Sequence, residues 1–436
     1  MILNFQAPRG LTGRITPPAD KSITHRALLF SAMADGTSRI SNPLDTGDCL
    51  STRRCLEALG VRFRERREGG GALILESRGR GLRGFQEAPD VLDAGNSGTT
   101  ARLLAGLLAG QGMLTVLSGD SSLRSRPMLR VVDPLREMGA EIHGRSGGRY
   151  LPLVFAPGSG GLSPIDYRLE VPSAQVKSAL MIAALRAGRA VRLGGAIGSR
   201  DHTERLFDFL RLPLRRSGSH LTVEPADAVP SFELSVPGDI SSAAFFIAGA
   251  LVCGGELVVE QCGVNPTRLG FIDVLRRMGA RIEMEEQPSS GGEPVGRLRV
   301  APGALQGVEV GAESIPSLVD EVPLLALLAA FADGITRVRG AGELRHKESD
   351  RLEAVARLFA SLGGRIELSK EGFTVEGPQT LKSGRVDPRG DHRIAMAAAC
   401  VSPGIRDGVT VEGFEAAEVS FPNFVGMFQQ LGGEVS

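Results

Sequence analysis

Six short polar turns in this chain each stand directly before an Ala- or Leu-rich stretch, and several of them carry residue types that hold anions. They open at Asp20 (Asp-Lys-Ser-Ile-Thr-His-Arg), Asp93 (Asp-Ala-Gly-Asn-Ser-Gly-Thr-Thr), Pro172 (Pro-Ser-Ala-Gln-Val-Lys-Ser), Pro237 (Pro-Gly-Asp-Ile-Ser-Ser), Val319 (Val-Asp-Glu-Val-Pro) and Gly390 (Gly-Asp-His-Arg-Ile-Ala). A polar residue before an apolar run marks a helix start, where unpaired N–H groups and the helix dipole attract negative charge. Lys21, Ser22 and Arg26 place two cations and a hydroxyl in one such start. Gly98, within a hydroxyl-rich turn, lets a ligand approach bare backbone. Ser173, Ala174 and Gln175 offer a hydroxyl, backbone N–H groups and an amide. Taken singly, each turn is also explained by capping through Ser, Asp or Asn. Capping does not call for Lys21 together with Arg26.

Two basic segments stand apart. Arg124-Ser125-Arg126-Pro127-Met128 reads as a basic loop before a helix, and Arg345 to Arg351 places Lys347 and Arg351 four residues apart, on one face if helical. A solvated helix surface laced with ion pairs explains the second stretch equally well. The six histidines lack i,i+4 or His-x-His partners, so no metal site is expected. The glycine turns fit neither the Walker A pattern nor the dinucleotide fingerprint, so ATP and NAD are not expected either.

The elements that must position these residues repeat. An amphipathic segment ending in an apolar-Gly step and then a β-like stretch occurs at Cys55, Pro134, Val274, Leu358 and Met427, with a degenerate copy lacking the Gly at Phe209. These alternate with the six polar openings and divide the chain into six units of roughly 70 residues, each with two helices and several strands. The last unit is short, and Met1 to about Ile15 is strand-like with no helix of its own. The economical arrangement lets the N-terminus complete the last unit, with crossovers near Pro17-Pro18 and Val236-Pro237. That predicts a discontinuous domain of residues 1–15 and 237–436 and an inserted domain of residues 16–236, three units each. A run of ordinary α/β units without symmetry is the alternative.

With 436 residues, two cores are expected. Fifty basic residues balance fifty acidic ones, which argues against a general nucleic-acid or membrane binder. Five cysteines, odd in number and without a Cys-x-x-Cys pair, read as buried thiols of a reducing compartment. The first residues lack the layout of a signal peptide, and no apolar run approaches the ~20 residues that span a bilayer. A cytoplasmic, monomeric protein is expected.

Nine segments (Ala-Asp-Lys-Ser-Ile-Thr-His-Arg-Ala-Leu-Leu from Ala19, Asp-Ala-Gly-Asn-Ser-Gly-Thr-Thr-Ala-Arg from Asp93, Arg-Ser-Arg-Pro-Met, Pro-Ser-Ala-Gln-Val-Lys-Ser, Pro-Gly-Asp-Ile-Ser-Ser, Val-Asp-Glu-Val-Pro, Glu-Leu-Arg-His-Lys-Glu-Ser-Asp-Arg from Glu343, Gly-Asp-His-Arg-Ile-Ala and Ser-Phe-Pro-Asn-Phe from Ser420) resemble the successive signatures of EPSP synthases, in the family's order. The resemblance implies an α/β (α+β) fold, the two-domain inverse α/β barrel of six βαβαββ repeats, three per domain, with the active site in the interdomain cleft. It implies transfer of the enolpyruvyl group of phosphoenolpyruvate to the 5-hydroxyl of shikimate 3-phosphate, a step of aromatic amino-acid (chorismate) biosynthesis, with no cofactor. UDP-N-acetylglucosamine enolpyruvyl transferases share fold and donor. They carry Lys-Asn where this chain has Lys21-Ser22, and a reactive Cys that is absent from Gly119 to Arg130. A non-catalytic, anion-binding repeat protein is the alternative of another class.

Carried over position by position, the resemblance implies that Lys21 bridges both substrates. Ser22, Arg26, Ser173, Ala174, Gln175, Arg200, Asp320 and Lys347 would bind shikimate 3-phosphate. Gly98, Arg126, Gln175, Arg351 and Arg393 would bind phosphoenolpyruvate, where the family inhibitor glyphosate also sits. Asp320 would deprotonate the 5-hydroxyl, and Glu348 would deliver and remove the proton on the methylene carbon. Ala174 stands where a second Ser is common, Arg200 where a Tyr is common, and Val419 where a Lys is common. Ser173-Ala174-Gln175-Val176-Lys177, Arg200-Asp201-His202-Thr203-Glu204 and Asn265-Pro266-Thr267-Arg268 look instead like the second class of the family, whose Gly-Asp-Lys is Ala19-Asp20-Lys21 here.

Overall fold

The polar turns become helix starts because their side chains satisfy the first N–H groups. In the computed structural model, which describes residues 1–67, 72–158 and 161–436, Asp20 accepts from the Ile23 N–H at 2.8 Å and Ser97 from Thr100 at 3.1 Å. Ser173 accepts from Val176 at 3.4 Å, Asp239 from Ser241 at 2.9 Å and Asp391 from Arg393 at 3.0 Å. The sixth start places Pro323 in the first turn, where its missing N–H needs no partner. The helices so opened are Lys21–Met33, Gly98–Leu108, Ala174–Ala184, Ile240–Cys253, Val322–Ala329 and His392–Val401. They are buried on nearly every side, as helices apolar all round should be.

The second series forms shorter helices, Gly47–Ala58, Leu129–Glu137, His202–Phe209, Gly270–Arg277, Arg351–Ser361 and Phe424–Gln430. Five run into a glycine with positive φ: Gly60, Gly139, Gly279, Gly363 and Gly432. In the degenerate copy Arg211 takes that conformation, with φ 54°. The turn is therefore kept where the glycine is lost, at the strain a side chain meets there.

Each helix pair carries a four-stranded sheet with one wiring: a parallel edge pair, then antiparallel neighbours. Leu92–Asp93 runs parallel to Thr115–Ser118, which is antiparallel to Tyr150–Phe155, itself antiparallel to Ile142–Gly144. The same order recurs from Asp166–Leu169, Glu233–Ser235, Gly13–Ile15, Glu309–Val310 and Gly384–Val386. In the last of these, the N-terminal strand Ile2–Gln6 lies between Val409–Glu412 and Glu434–Val435, with Phe5 opposite both Val409 and Val435.

The chain divides into two units, each with its own apolar core. One comprises Met1–Pro18, Pro237–Pro288 and Pro294–Ser436; the other comprises Ala19–Val236 with Ser289–Glu293. In the second unit Gly106 lets two buried helices touch: a Cβ there would stand 2.3 Å from the Ala179 carbonyl oxygen. In the first, Phe421 and Phe424 of the Ser-Phe-Pro-Asn-Phe segment pack with Phe5, Phe246 and Phe428. That motif is core packing; Val419, just before it, is 36% exposed. Four of the five cysteines are buried, and none is in a disulfide.

Candidate active site

In the unit of Ala19–Val236, hydrogen bonds tie three anion-type helix starts together. Lys21 Nζ lies 3.1 Å from Asp48 Oδ2. Thr100 donates to the Asp48 carbonyl at 3.2 Å and shares a 2.7 Å hydrogen bond with Thr52, which holds His25 Nδ1 at 2.7 Å. His25 is wholly enclosed, and burial lowers its pKa to about 3, so it stays neutral beside Lys21 and Arg26. Gln175 Nε2 donates to Thr99 Oγ1 at 3.0 Å, while Arg102 Nη1 donates to Gln175 Oε1 at 2.8 Å. Arg126, 8% exposed, donates to Asn96 Oδ1 at 2.5 Å and to Ser122 Oγ at 3.2 Å. A Cβ on Gly98 would stand 2.6 Å from Arg102 Nη1 and 3.6 Å from Arg126 Nη1. Bare backbone thus faces two guanidinium groups.

Arg26 is nearly buried. It donates to Thr203 Oγ1 at 2.7 Å, Ser178 Oγ at 2.8 Å and the Ser22 carbonyl at 2.9 Å. Burial lowers its pKa to about 10, still charged at neutral pH. Ser173 and Ala174 sit at the start of the Ala174–Ala184 helix, and Arg200 lies in the turn before His202–Phe209.

The other unit gathers the acids. Arg351, 2% exposed at its side chain, faces Glu348 at 2.6 Å, Asp391 at 3.0 Å and Asp320 at 3.4 Å. Burial alone would lower its pKa; the Glu348, Asp391 and Asp320 charges outweigh that and raise it. The same guanidinium holds the buried Asp391 carboxyl below its usual range, against the opposing effect of burial. Ser349 also donates to Asp391, at 2.8 Å. Arg393 lies 3.7 Å from Asp320 Oδ2 and 3.6 Å from Glu321 Oε1. Lys347 has its pKa lowered by burial, partly offset by Asp320 and Glu343. The Lys347–Arg351 stretch is not one helical face. Gly342–His346 is a 3₁₀ turn, Lys347 is extended, and the helix begins at Arg351 because Asp350 caps it.

Sequence reasoning passed over four residues. Asp391 was legible only as a cap, although it also grips Arg351. Asp48 and Arg102 gave no signal beyond the i,i+4 spacing of Arg102 from Gly98, and Lys177 was legible only as the last residue of the Ser-Ala-Gln-Val-Lys motif. Among the described residues no helix is long and apolar enough to cross a membrane.

Three repeated units in each half of the chain is an architecture shared with solved enolpyruvyl transferases. A solved structure of the enolpyruvyl transferase NikO from Streptomyces tendae matches the fold at TM-score 0.76 and 17% identity, over 100% of this chain and 98% of that one. EPSP synthase from Acinetobacter baumannii matches at TM-score 0.86 and 33% identity, over 100% and 99%. The 3-phosphoshikimate 1-carboxyvinyltransferase of Thermus thermophilus is 49% identical over 98% of this chain and 97% of its own. That of Desulforudis audaxviator is 46% identical over 99% of each. Residues 5–428 match the family described as EPSP synthase (3-phosphoshikimate 1-carboxyvinyltransferase), and the chain belongs to it. It is a transferase with that activity; neither the UDP-N-acetylglucosamine reading nor the non-catalytic one is favoured.

Proposed function

We propose that the two clusters serve one reaction: the Ala19–Val236 unit binds the anionic substrates and the acid-rich cluster moves the protons. The observation that carries this is Arg351, which meets Asp320 and Glu348 at once. Lys21, Ser22, Arg26, Ser173, Ala174, Gln175 and Arg200 bind shikimate 3-phosphate, together with Lys347 and Asp320. Gly98, Arg126, Gln175, Arg351 and Arg393 bind phosphoenolpyruvate, which Lys21 also touches. Each phosphoryl group brings about −1.5 to −2 charges, so forked guanidinium groups suit it.

Asp320 takes the proton of the 5-hydroxyl as that oxygen attacks C2 of the enol. Glu348 gives a proton to C3, forming a tetrahedral intermediate. Glu348 then takes a C3 proton back as the C2–O bond to phosphate breaks, restoring the enol and releasing phosphate. Arg351 holds both carboxylates near one another, one for the attacking oxygen and one for C3, and positioned general acid–base groups contribute ~10²–10⁴-fold. The enzyme works as a monomer in the cytoplasm, where the pathway to aromatic amino acids runs; its cysteines suit a reducing compartment. Phosphate release from phosphoenolpyruvate is the test. It should require shikimate 3-phosphate; release with UDP-N-acetylglucosamine instead would overturn the assignment.

A further inference from the structure

Lys177 belongs to a sequence motif whose other polar members are read as substrate ligands, yet its own side chain is only 1% exposed and spends its donors inside the protein. An ammonium group has three N–H donors, and three acceptors surround this one. Nζ lies 2.5 Å from Glu204 Oε1, 3.0 Å from the Ile197 carbonyl and 3.3 Å from the Ser199 carbonyl. Glu204 is itself 7% exposed at its side chain. Lys177 sits one helical turn after Ser173, whose carbonyl accepts from the Lys177 N–H at 3.0 Å. The carbonyls it grips belong to residues 196–201, a turn without regular structure that ends at Arg200-Asp201. Within that turn Ile197 N–H donates to the Gly195 carbonyl at 2.9 Å and Ser199 N–H to that of Ile197 at 2.7 Å, while Ala196 N–H donates to Leu169 at 2.9 Å. Lys177 therefore ties the helix opened by Ser173-Ala174-Gln175 to the turn of Ser199-Arg200, beyond the point where the parallel pair Asp166–Leu169 and Val191–Gly195 ends and beside the 2.6 Å Ser178–Thr203 hydrogen bond.

We propose that Lys177, with Glu204, is a positioning residue for shikimate 3-phosphate: it holds the Arg200 turn at the distance from the Ser173–Gln175 helix start that the phosphorylated cyclohexene ring spans. The inference rests on the reading of Arg200 and Ser173 as shikimate 3-phosphate ligands. Removing Lys177 alone would strand Glu204 in the interior, so the informative variant removes both charges.

The test compares Lys177→Met/Glu204→Gln, Glu204→Gln, Arg200→Ala and the triple variant. KM for each substrate and kcat are measured, with thermal melts to establish folding. The double variant should raise KM for shikimate 3-phosphate ~10-fold, the scale of one hydrogen bond to a charged group. KM for phosphoenolpyruvate should stay within about twofold, a split that general loosening of the fold would not give. Adding Arg200→Ala should raise the shikimate 3-phosphate KM less than the product of the separate effects, because both act through one turn. Glu204→Gln, which keeps the carbonyl grip, should shift either KM by no more than about threefold, and it serves if the double variant does not fold. An unchanged shikimate 3-phosphate KM in a folded double variant, or full multiplication with Arg200→Ala, overturns the proposal; so does a Glu204→Gln variant that raises both KM values alike. No effect of Arg200→Ala by itself would overturn the ligand reading of Arg200, and the proposal with it, and is distinguishable because the double variant could still act.

Discussion

The two anion-handling clusters are built in opposite ways. Around Lys21, Gly98 and Gln175, Lys21 meets Asp48, Arg102 meets Gln175 and the Pro127 carbonyl, and Arg126 meets Asn96, which itself donates to Asp120 at 2.6 Å. Around Arg351, the carboxylates Asp320, Glu321, Glu348 and Asp391 crowd two guanidinium groups. A surface meant only to hold phosphate gains nothing from four acids, which repel it. On the reading proposed above, the acids beside Arg351 and Arg393 serve proton transfer, and the amides and hydroxyls around Gly98 serve binding. The proposal thus gives one repeat unit two tasks, according to the side chains around its helix starts.

If that division holds, the largest effects should come from the acid side. Glu348→Gln and Asp320→Asn should each lower kcat by at least ~100-fold while KM for shikimate 3-phosphate changes far less. Steady-state kinetics on both substrates check this. A rise in KM with kcat preserved would move these residues to the binding side.

On the cationic side a smaller, selective effect is expected. Gly98→Ala puts a methyl 2.6 Å from Arg102 Nη1, the mobile end of a long side chain, so Arg102 must shift and Gln175 with it. Glyphosate is longer than phosphoenolpyruvate, so its inhibition constant should rise more than the phosphoenolpyruvate KM, within the ~1–3 kcal/mol scale of one methyl in a tight pocket. In an Arg102→Lys background the discrimination should shrink, since the displaced fork is gone. Equal factors for both ligands, in either background, would mean that Gly98 does not line the pocket.

What the sequence made legible follows from how local each signal is. Caps act within three residues, so Asp20, Ser97, Ser173, Asp239 and Asp391 announce their helices. The apolar-Gly turn is as local, and even its degenerate copy, with Arg211 in place of glycine, keeps the backbone shape. The grip of Asp391 on Arg351 spans 40 residues of chain and that of Lys177 on the Ser199 turn spans 22, so neither leaves a mark in a window of sequence. Lys347 and Arg351 misled for the opposite reason: their i,i+4 spacing imitates a helix, while Asp350 between them is the cap that starts one.

Acid should separate the clusters more gently. His25, neutral with its pKa lowered from 6.5 to about 3, leaves the unfolded chain binding a proton that the native state refuses between those values. Its contribution is thus intact above pH 6.5 and declines as pH falls toward 3, at up to ~1.4 kcal/mol per pH unit. Asp391, with its pKa depressed below 3.8, loses its contribution only as pH falls through its lower, folded-state value. Melts between pH 6.5 and 4.5 should show His25→Asn flattening the decline, since an amide can keep the Thr52 hydrogen bond, whereas Asp391→Asn should lower stability without changing that slope. A slope unchanged in His25→Asn would place the acid sensitivity elsewhere.

The division of labour is tested most directly by separating binding from proton transfer in one variant. Glu348→Gln should bind shikimate 3-phosphate in calorimetry within about threefold of the wild-type affinity. With phosphoenolpyruvate added in heavy water, it should incorporate no deuterium into the methylene carbon, while the wild-type enzyme does. Incorporation at the wild-type rate by Glu348→Gln, or loss of shikimate 3-phosphate binding in a folded variant, would contradict the assignment of proton transfer to the Arg351 cluster.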